Sequence, residues 1–298
     1  MLTLRGVIPP IPTPFKQNGD LDLPALQSLI QTLEPEVDGF LVLGSNGEAP
    51  YLNDHERSQV FEAAREAAPK DKPLLFGTGA EATRHALERT QEAHAIGADG
   101  VLVLPPHYYV GAMTEGVLER HYLTLAESSP LPLMLYNLPA ATTLSLSPAL
   151  VGNLATHENI VGLKDSSGNI PALTEIMRLV PADFQVMTGN APSFLAALAL
   201  GAVGGILAVA NVAAEPYRKL MAAFGAGDVA TARALQTRLN PLALAVTARF
   251  GVPGLKAAMR LRGVEAGYPR APLGEFTDTA ALEPLLALLT FEADLHPI

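Results

Sequence analysis

The chain has 298 residues, of which 49% are hydrophobic and 17% are charged, enough apolar material for one large core or two smaller ones. Its net charge is −10, from 20 basic and 30 acidic residues, so a nucleic-acid backbone would be repelled on average. The absence of cysteine excludes disulfides, thiolate nucleophiles and cysteine-bound metals, and it fits a reducing cytoplasm. We therefore expect a cytoplasmic protein that binds no nucleic acid.

Short apolar runs rich in β-branched residues recur along the chain, and amphipathic stretches of helical pattern separate them. The runs are nearly continuous in apolar residues, as strands covered on both faces should be. The candidate strands lie at residues 6–11, 38–44, 73–79, 99–105, 131–137, 160–165, 184–189 and 203–208. Eight strands, each followed by a helix, predict an α/β fold of the (β/α)8 barrel type, with a doubly wound open sheet as the main alternative.

Two segments are candidates for a signal peptide and for a membrane span, respectively. The N-terminal stretch has no basic region followed by an apolar one, so we expect no signal peptide. Residues 194–210 carry no charge, and their length lies at the lower limit for a bilayer span. Gly201, Gly204 and Gly205 interrupt this run, which favours a buried helix, a turn and a buried strand over a membrane span.

No strand pattern returns beyond residue 225. The chain from there onward has a helical pattern, and it begins at a break marked by Gly225 and Gly227. We therefore predict a (β/α)8 barrel over residues 1–225, which carries the active site, and a C-terminal helical domain over residues 226–298.

The carboxyl ends of the predicted strands are where a parallel barrel collects its active site. These ends are polar, rich in glycine and poor in charge. They comprise Thr13 and residues 44–48 (GSNGE), 77–79 (GTG), 105–109 (PPHYY), 136–139 (YNLP), 164–168 (KDSSG), 189–190 (GN) and 204–205 (GG). Apart from His107, Lys164 is the only basic residue of this set.

Lys164 allows two interpretations. A lysine just past a strand is commonly solvated, but the residues that lead to this one are apolar on both sides of the pleat, so its stem leaves from inside the barrel. A lysine withdrawn from water without a tight ion-pair partner loses its proton more easily, and a neutral amine attacks ketones to form a Schiff base. Lys164 is therefore a candidate nucleophile.

Two further strand ends fit this chemistry. Tyr136 ends the preceding strand, and a phenol beside a Schiff base can carry protons, although tyrosines at strand ends also serve as packing residues. In GSNGE the glycines allow backbone N–H groups and the side chains of Ser45 and Asn46 to face a carboxylate, although the segment can equally be a tight turn.

The motifs GSNGE, YNLPA and GLKDSSGN, in this order and on these strands, resemble the pyruvate-dependent class I aldolases, the family of dihydrodipicolinate synthase and N-acetylneuraminate lyase. The likeness extends from GVIPPIPTPF near the N-terminus to RAPL near residue 273. It implies a (β/α)8 barrel with C-terminal helices, no cofactor or metal, and pyruvate or another 2-oxo acid as substrate. It also implies a homo-oligomer, a tetramer of two tight dimers.

The resemblance assigns roles to single residues. Lys164 matches the Schiff-base lysine and Tyr136 the tyrosine that carries protons. Ser45 stands in the pair that holds the substrate carboxylate and relays protons, and Tyr108 matches a tyrosine that reaches across the tight-dimer interface into the neighbouring site. The residues expected to bind substrate are Ser45, Asn46, Ser166, Gly189 and Ile206.

The resemblance gives two candidates for the reaction with the second substrate. The dihydrodipicolinate synthases of this family carry an arginine five residues after the tyrosine, where this chain has Ala141, and the loop motifs look most like 4-hydroxy-2-oxoglutarate aldolase. We therefore expect cleavage of 4-hydroxy-2-oxoglutarate to pyruvate and glyoxylate. The alternative is 4-hydroxy-tetrahydrodipicolinate synthase, which condenses pyruvate with aspartate semialdehyde. A non-catalytic ligand-binding protein and a phosphate-binding barrel isomerase remain open.

Overall fold

The computed structural model describes residues 2–290. Its strands are Gly6–Ile8 (β1), Phe40–Val42 (β2), Leu74–Gly77 (β3), Gly100–Val103 (β4), Leu133–Asn137 (β5), Ile160–Asp165 (β6), Gln185–Thr188 (β7) and Gly204–Ile206 (β8). Each of them lies inside one of the predicted runs. Nearly all of their residues are buried, which is why the runs are apolar without alternation.

Helices separate the strands. They are Leu23–Leu33 (α1), Asp54–Ala67 (α2), Thr83–Ile96 (α3), Glu115–Ser128 (α4), Pro139–Thr142 (α5), Pro148–Leu154 (α6), Ile170–Leu179 (α7), Phe194–Ala199 (α8), Ala210–Gly225 (α9), Val229–Leu244 (α10), Gly251–Leu261 (α11) and Glu283–Leu286 (α12). Several begin at a side chain that accepts a hydrogen bond from the first turn, which satisfies an otherwise unpaired N–H group. These capping residues are Asp22, Asn53, Ser147, Asn169 and Asp228.

The strands form one parallel sheet in the order β1-β8-β7-β6-β5-β4-β3-β2. A parallel bridge between Pro10 and Leu41 joins the first and last strands of that order, so the sheet closes on itself. The fold is therefore the predicted (β/α)8 barrel and not a doubly wound open sheet, and its C-terminal part is helical, as predicted.

The chain divides into two compact units. The first unit contains Pro73–Gly205 and the residues up to Arg5, and it includes β3 to β7. The second contains Gly6–Lys72 and the chain from Ile206 onward, and it includes β1, β2 and α9 to α12. The boundary that we predict at residue 225 coincides with the end of α9 and stays a prediction.

The uncharged run at residues 194–210 forms α8, a turn at Gly201 and β8, as predicted. Within residues 2–290, no helix combines the length and the apolar character that crossing a membrane requires.

His121 on α4 is a buried titratable group of the first unit. Its Nδ1 atom lies 2.8 Å from the hydroxyl of Thr83, at the start of α3, and only 5% of the residue is exposed. Burial lowers the pKa of the imidazole to about 4, against a smaller opposing effect of the Glu81 carboxylate. In the unfolded chain the same group titrates near pH 6.5, so between these values the unfolded state binds the extra proton.

We expect the free energy of unfolding to fall as the pH drops below about 6.5, and His121 to contribute on the order of 2–3 kcal/mol of that loss by pH 4.5. The variant His121→Asn keeps a polar atom near the Nδ1 position for Thr83 but does not titrate. Urea unfolding of both proteins at pH 7 and 4.5 measures the difference. Equal pH slopes for the two proteins would contradict the assignment to His121.

Candidate active site

Lys164 and Tyr136 lie side by side at the carboxyl ends of β6 and β5. The two residues are partners in the register of this parallel pair, so their side chains leave the sheet on the same face. Both are buried, with 3% of Lys164 and 5% of Tyr136 exposed. The Nζ atom of Lys164 lies 4.2 Å from the centroid of the Tyr136 ring. The structure thus brings the predicted nucleophile and the predicted proton carrier together.

The surroundings of the Lys164 amine differ from those of an ordinary buried lysine. Within residues 2–290, no carboxylate forms an ion pair with it and no oxygen accepts a hydrogen bond from it. The amine lies over the face of the Tyr136 ring, which attracts a cation but accepts no proton from it. The amine therefore forms no ion pair with these residues, and a nucleophilic amine has to be available in this way.

Asn137 and Asp165, one residue further along the same strands, form a buried polar link that the sequence did not indicate. The Asn137 side-chain amide donates a hydrogen bond to Asp165 Oδ1 at 2.7 Å, and the Ser167 hydroxyl donates to Asp165 Oδ2 at 2.8 Å. The amide oxygen of Asn137 accepts a bond from the backbone of Leu146. This link joins the two strand ends that carry Tyr136 and Lys164.

Gly189, directly after β7, leaves room for the side chains of the neighbouring strand. A Cβ atom at position 189 would lie 1.9 Å from the hydroxyl oxygen of Ser166, closer than real Cβ atoms approach other atoms, and 3.0 Å from Cε of Lys164, which is a tight contact. The backbone N–H of Gly189 donates to the carbonyl of Asp165 at 2.6 Å. Lys164, Ser166 and Gly189 are therefore close together, as expected for residues of one site.

Ser45 and Asn46 lie in the second unit, in a single 3-10 turn of Ser45–Gly47 that follows β2. Ser45 is exposed and Asn46 is half-buried. The side-chain nitrogen of Asn46 is withdrawn from water, and within the described residues it has no hydrogen-bond partner. A buried amide donor without an acceptor is unfavourable, which makes this atom a candidate contact for a substrate carboxylate.

The remaining two predicted residues differ in exposure. Ile206, in the second unit, ends β8 and is buried. Tyr108 is 77% exposed on the loop after β4, where the Glu81 carboxylate accepts hydrogen bonds from the backbone N–H groups of His107 and Tyr108. Its edge-on contact with the Tyr109 ring has a centroid distance of 5.0 Å. The shares of Ser45, Asn46, Ile206 and Tyr108 in the site of Lys164 stay predictions.

A buried lysine with no ion pair in the described part of the chain, beside a phenol that can carry protons at the strand ends of a barrel, fits the chemistry of a Schiff-base aldolase. The comparison with protein families agrees with this class. Residues 3–289 match the Dihydrodipicolinate synthetase family, so the chain belongs to that family.

Individual relatives cover nearly the whole chain. The 4-hydroxy-tetrahydrodipicolinate synthase of Syntrophus aciditrophicus is 38% identical over 277 residues, which are 93% of this chain and 94% of the relative. The synthase of an Exiguobacterium species is 36% identical and covers 96% of this chain and 97% of its own. Among solved structures, YagE of Escherichia coli K12, a prophage protein of the same family in complex with pyruvate, is 33% identical with a TM-score of 0.88, over 97% of this chain and 98% of that chain.

The comparisons thus confirm the family that the motifs resemble. For the activity, the names of the relatives support the alternative, the synthase, better than our first expectation, and cleavage of 4-hydroxy-2-oxoglutarate stays a prediction.

We expect Gly189→Ala to reduce turnover about tenfold or more, because the added methyl group would occupy the space of the Ser166 hydroxyl and press on the Lys164 stem. Gly116→Ala on α4 is the matched control, since a Cβ there would meet only the end of the Arg120 side chain at 3.8 Å. Steady-state kinetics and a melting temperature for each variant check the expectation. Full activity in Gly189→Ala would show that residue 189 does not border the reacting lysine.

Proposed function

We propose that this protein is a Schiff-base (class I) aldolase with pyruvate as donor or product. The observation that carries the proposal is the buried Lys164, which has no ion-pair partner within the described residues and lies 4.2 Å from the ring centroid of Tyr136. The pyruvate bound to the related YagE supports the choice of substrate.

In the proposed reaction, Lys164 Nζ adds to the C2 ketone of a 2-oxo acid, and the carbinolamine loses water to give an iminium ion. The Tyr136 hydroxyl carries the proton that the leaving oxygen requires. The iminium then withdraws electrons from C3. In condensation a C3 proton leaves, and the resulting enamine attacks the aldehyde, whose oxygen takes up a proton; in cleavage Tyr136 takes the proton of the C4 hydroxyl, the C3–C4 bond breaks and the aldehyde leaves. Both routes pass through the pyruvate enamine, and after cleavage C3 takes up a proton and water hydrolyses the iminium, which releases pyruvate and Lys164. The same intermediate therefore serves condensation and cleavage.

The Ser45–Gly47 turn follows β2 at the carboxyl end, where barrels place groups that bind substrate. We assign to Ser45 and Asn46 the C1 carboxylate of the 2-oxo acid, and the unpartnered amide nitrogen of Asn46 supports this assignment. Gly189, Ser166 and Ile206 are assigned to the walls of the same site.

The second substrate has two candidates. The names of the relatives make condensation with aspartate semialdehyde, the synthase reaction, the better-supported activity. One observation favours cleavage of 4-hydroxy-2-oxoglutarate: Ala141, exposed on α5, stands where the resemblance places an arginine that binds the semialdehyde carboxylate. A missing charge-assisted contact weakens that binding by about 1.5–3 kcal/mol, or roughly 10- to 150-fold. Glyoxylate, whose carboxylate adjoins the reacting carbon, does not need so distant an anchor.

The proposal includes a homo-oligomer, a tetramer of two tight dimers. Tyr108, Tyr109 and Val110 expose an apolar loop, and exposed aromatic residues are enriched at protein interfaces. Tyr108 would then reach the site of the neighbouring protomer.

Borohydride reduction in the presence of pyruvate tests the Schiff base. The wild-type protein should gain the mass of one reduced pyruvyl group on Lys164, and Lys164→Ala and Lys164→Arg should lose both the adduct and turnover, since a guanidinium does not lose its proton. Intact mass and peptide mapping identify the residue. An adduct that persists in Lys164→Ala and maps to Lys256 would refute the assignment, and no adduct in the wild type would favour a ligand-binding protein or an isomerase.

The variant Ala141→Arg tests the second substrate. We expect kcat/KM for condensation of pyruvate with aspartate semialdehyde to rise about tenfold or more, because the guanidinium restores a carboxylate contact. Ala140→Arg is the matched control, since it adds the same charge to the neighbouring exposed position. A wild-type condensation rate at or above the rate of 4-hydroxy-2-oxoglutarate cleavage, unchanged in Ala141→Arg, would decide for the synthase.

A further inference from the structure

Lys256, on α11, is a fully buried lysine that the proposed chemistry does not use. Its ammonium group donates hydrogen bonds to three oxygens: Glu48 Oε1 at 2.6 Å, the carbonyl of Thr13 at 2.7 Å and the carbonyl of Tyr268 at 2.7 Å. Burial lowers the pKa of Lys256 to about 8 against the opposing effect of the Glu48 carboxylate, so the charged form predominates at pH 7. All of its N–H groups are thus occupied, which makes Lys256 a fixed cation.

Glu48, the main partner of Lys256, ends the turn that carries Ser45 and Asn46. Its backbone is in the left-handed region, with a φ of 54°, which a residue with a side chain occupies only when its surroundings hold it there. Its carboxylate provides that hold, because Oε1 accepts from Lys256 and Oε2 accepts from the backbone N–H of Arg270 at 2.8 Å.

Short backbone bonds connect Glu48 to the rest of the turn. The N–H of Glu48 donates to the carbonyl of Ser45 at 3.1 Å, and the N–H of Gly47 donates to the carbonyl of Gly44 at 3.0 Å. The carbonyl of Gly47 accepts a bond from the hydroxyl of Thr13 at 2.7 Å, and Lys256 binds the carbonyl of the same threonine. Lys256 therefore holds the turn directly through Glu48 and indirectly through Thr13.

Arg270 fixes the other side of the Glu48 carboxylate. Its guanidinium forms a bidentate pair with Glu56 near the start of α2, at 2.6 and 2.8 Å, and also donates to the carbonyls of Gly19 and Tyr51. The carboxylate of Glu48 is thus bound on one side by Lys256 of α11 and on the other by the backbone of Arg270, whose own side chain is fixed by Glu56.

We propose that Lys256 is a positioning residue that holds the Ser45–Asn46 turn in the conformation that binds the substrate carboxylate. The proposal rests on the proposed function, which assigns the carboxylate to this turn. A buried ion pair adds little net stability, because the loss of hydration offsets the attraction. Its contribution is geometric, since three short hydrogen bonds from one ammonium group fix where Glu48, and hence the turn, can lie.

Two ketones separate this role from general support of the fold. Pyruvate has the carboxylate that the turn binds, whereas acetone has the ketone alone. In Lys256→Met at pH 7, borohydride trapping on Lys164 with acetone should stay within about twofold of the wild type, while trapping with pyruvate falls about tenfold or more. In turnover the same variant should raise KM for the 2-oxo acid and change kcat little.

Two further variants complete the test. The double variant Glu48→Gln/Lys256→Met removes both charges of the buried pair, and it replaces Lys256→Met in the experiment if that single variant does not fold. Arg260→Met is the matched control on the same helix, since the contacts of Arg260 within residues 2–290 are the carbonyl of Gly267, the Glu275 carboxylate and the ring of Tyr268, and none of them is with Glu48. It should lower the melting temperature without changing the preference for pyruvate over acetone.

The outcomes are distinct. An unchanged preference in the folded Lys256 variants, or an equal loss of trapping with both ketones, overturns the positioning role. A wild-type protein that traps pyruvate on no residue contradicts the proposed function itself.

Discussion

Burial of a lysine costs free energy because the ammonium group loses its hydration, and this protein buries two lysines in different ways. Lys256 directs every N–H group at an oxygen, so its charge is compensated and its position is fixed. Lys164 faces the ring of Tyr136 instead, with no ion pair in the described part of the chain. The same residue type is therefore held by three hydrogen bonds in one place and lies against an aromatic ring in the other, which is the basis for the two roles that we propose.

Side chains alternate along β6 and its end, so that Lys164 and Ser166 lie on one face of the strand and Asp165 on the other. Lys164 and Ser166 point to the side where Gly189 leaves space, whereas Asp165, between them, turns the other way and binds Asn137 of β5. Because the parallel register pairs Tyr136 with Lys164 and Asn137 with Asp165, each strand contributes one residue to either face. The polar link thus holds the strand ends together without occupying the space beside the amine.

The sequence alone predicted the eight strands because each is buried on both faces and is therefore an apolar run. It made Lys164 and Tyr136 candidates because both lie at the carboxyl ends of such runs. It could not predict the contact of Lys256 with Glu48, since those residues are separated by 208 positions and no local pattern connects them. It also missed the Asn137–Asp165 link, which depends on the register of two strands. The need for glycine at position 189 appears only from distances to Ser166 and Lys164.

The residues that we assign to the 2-oxo acid and the position that we assign to its partner lie in different kinds of structure. Lys164 and Tyr136 lie on buried strands, and the turn that carries Ser45 and Asn46 is connected to the buried Lys256 through Glu48 and Thr13, so substitutions there are expected to disturb packing. Position 141, by contrast, is exposed on a helix of four residues, where substitution costs little stability. Substitution at position 141 is therefore expected to cost less stability than substitution at Lys164 or Tyr136. The fold and the family do not by themselves fix the aldehyde, which depends on side chains at such exposed positions.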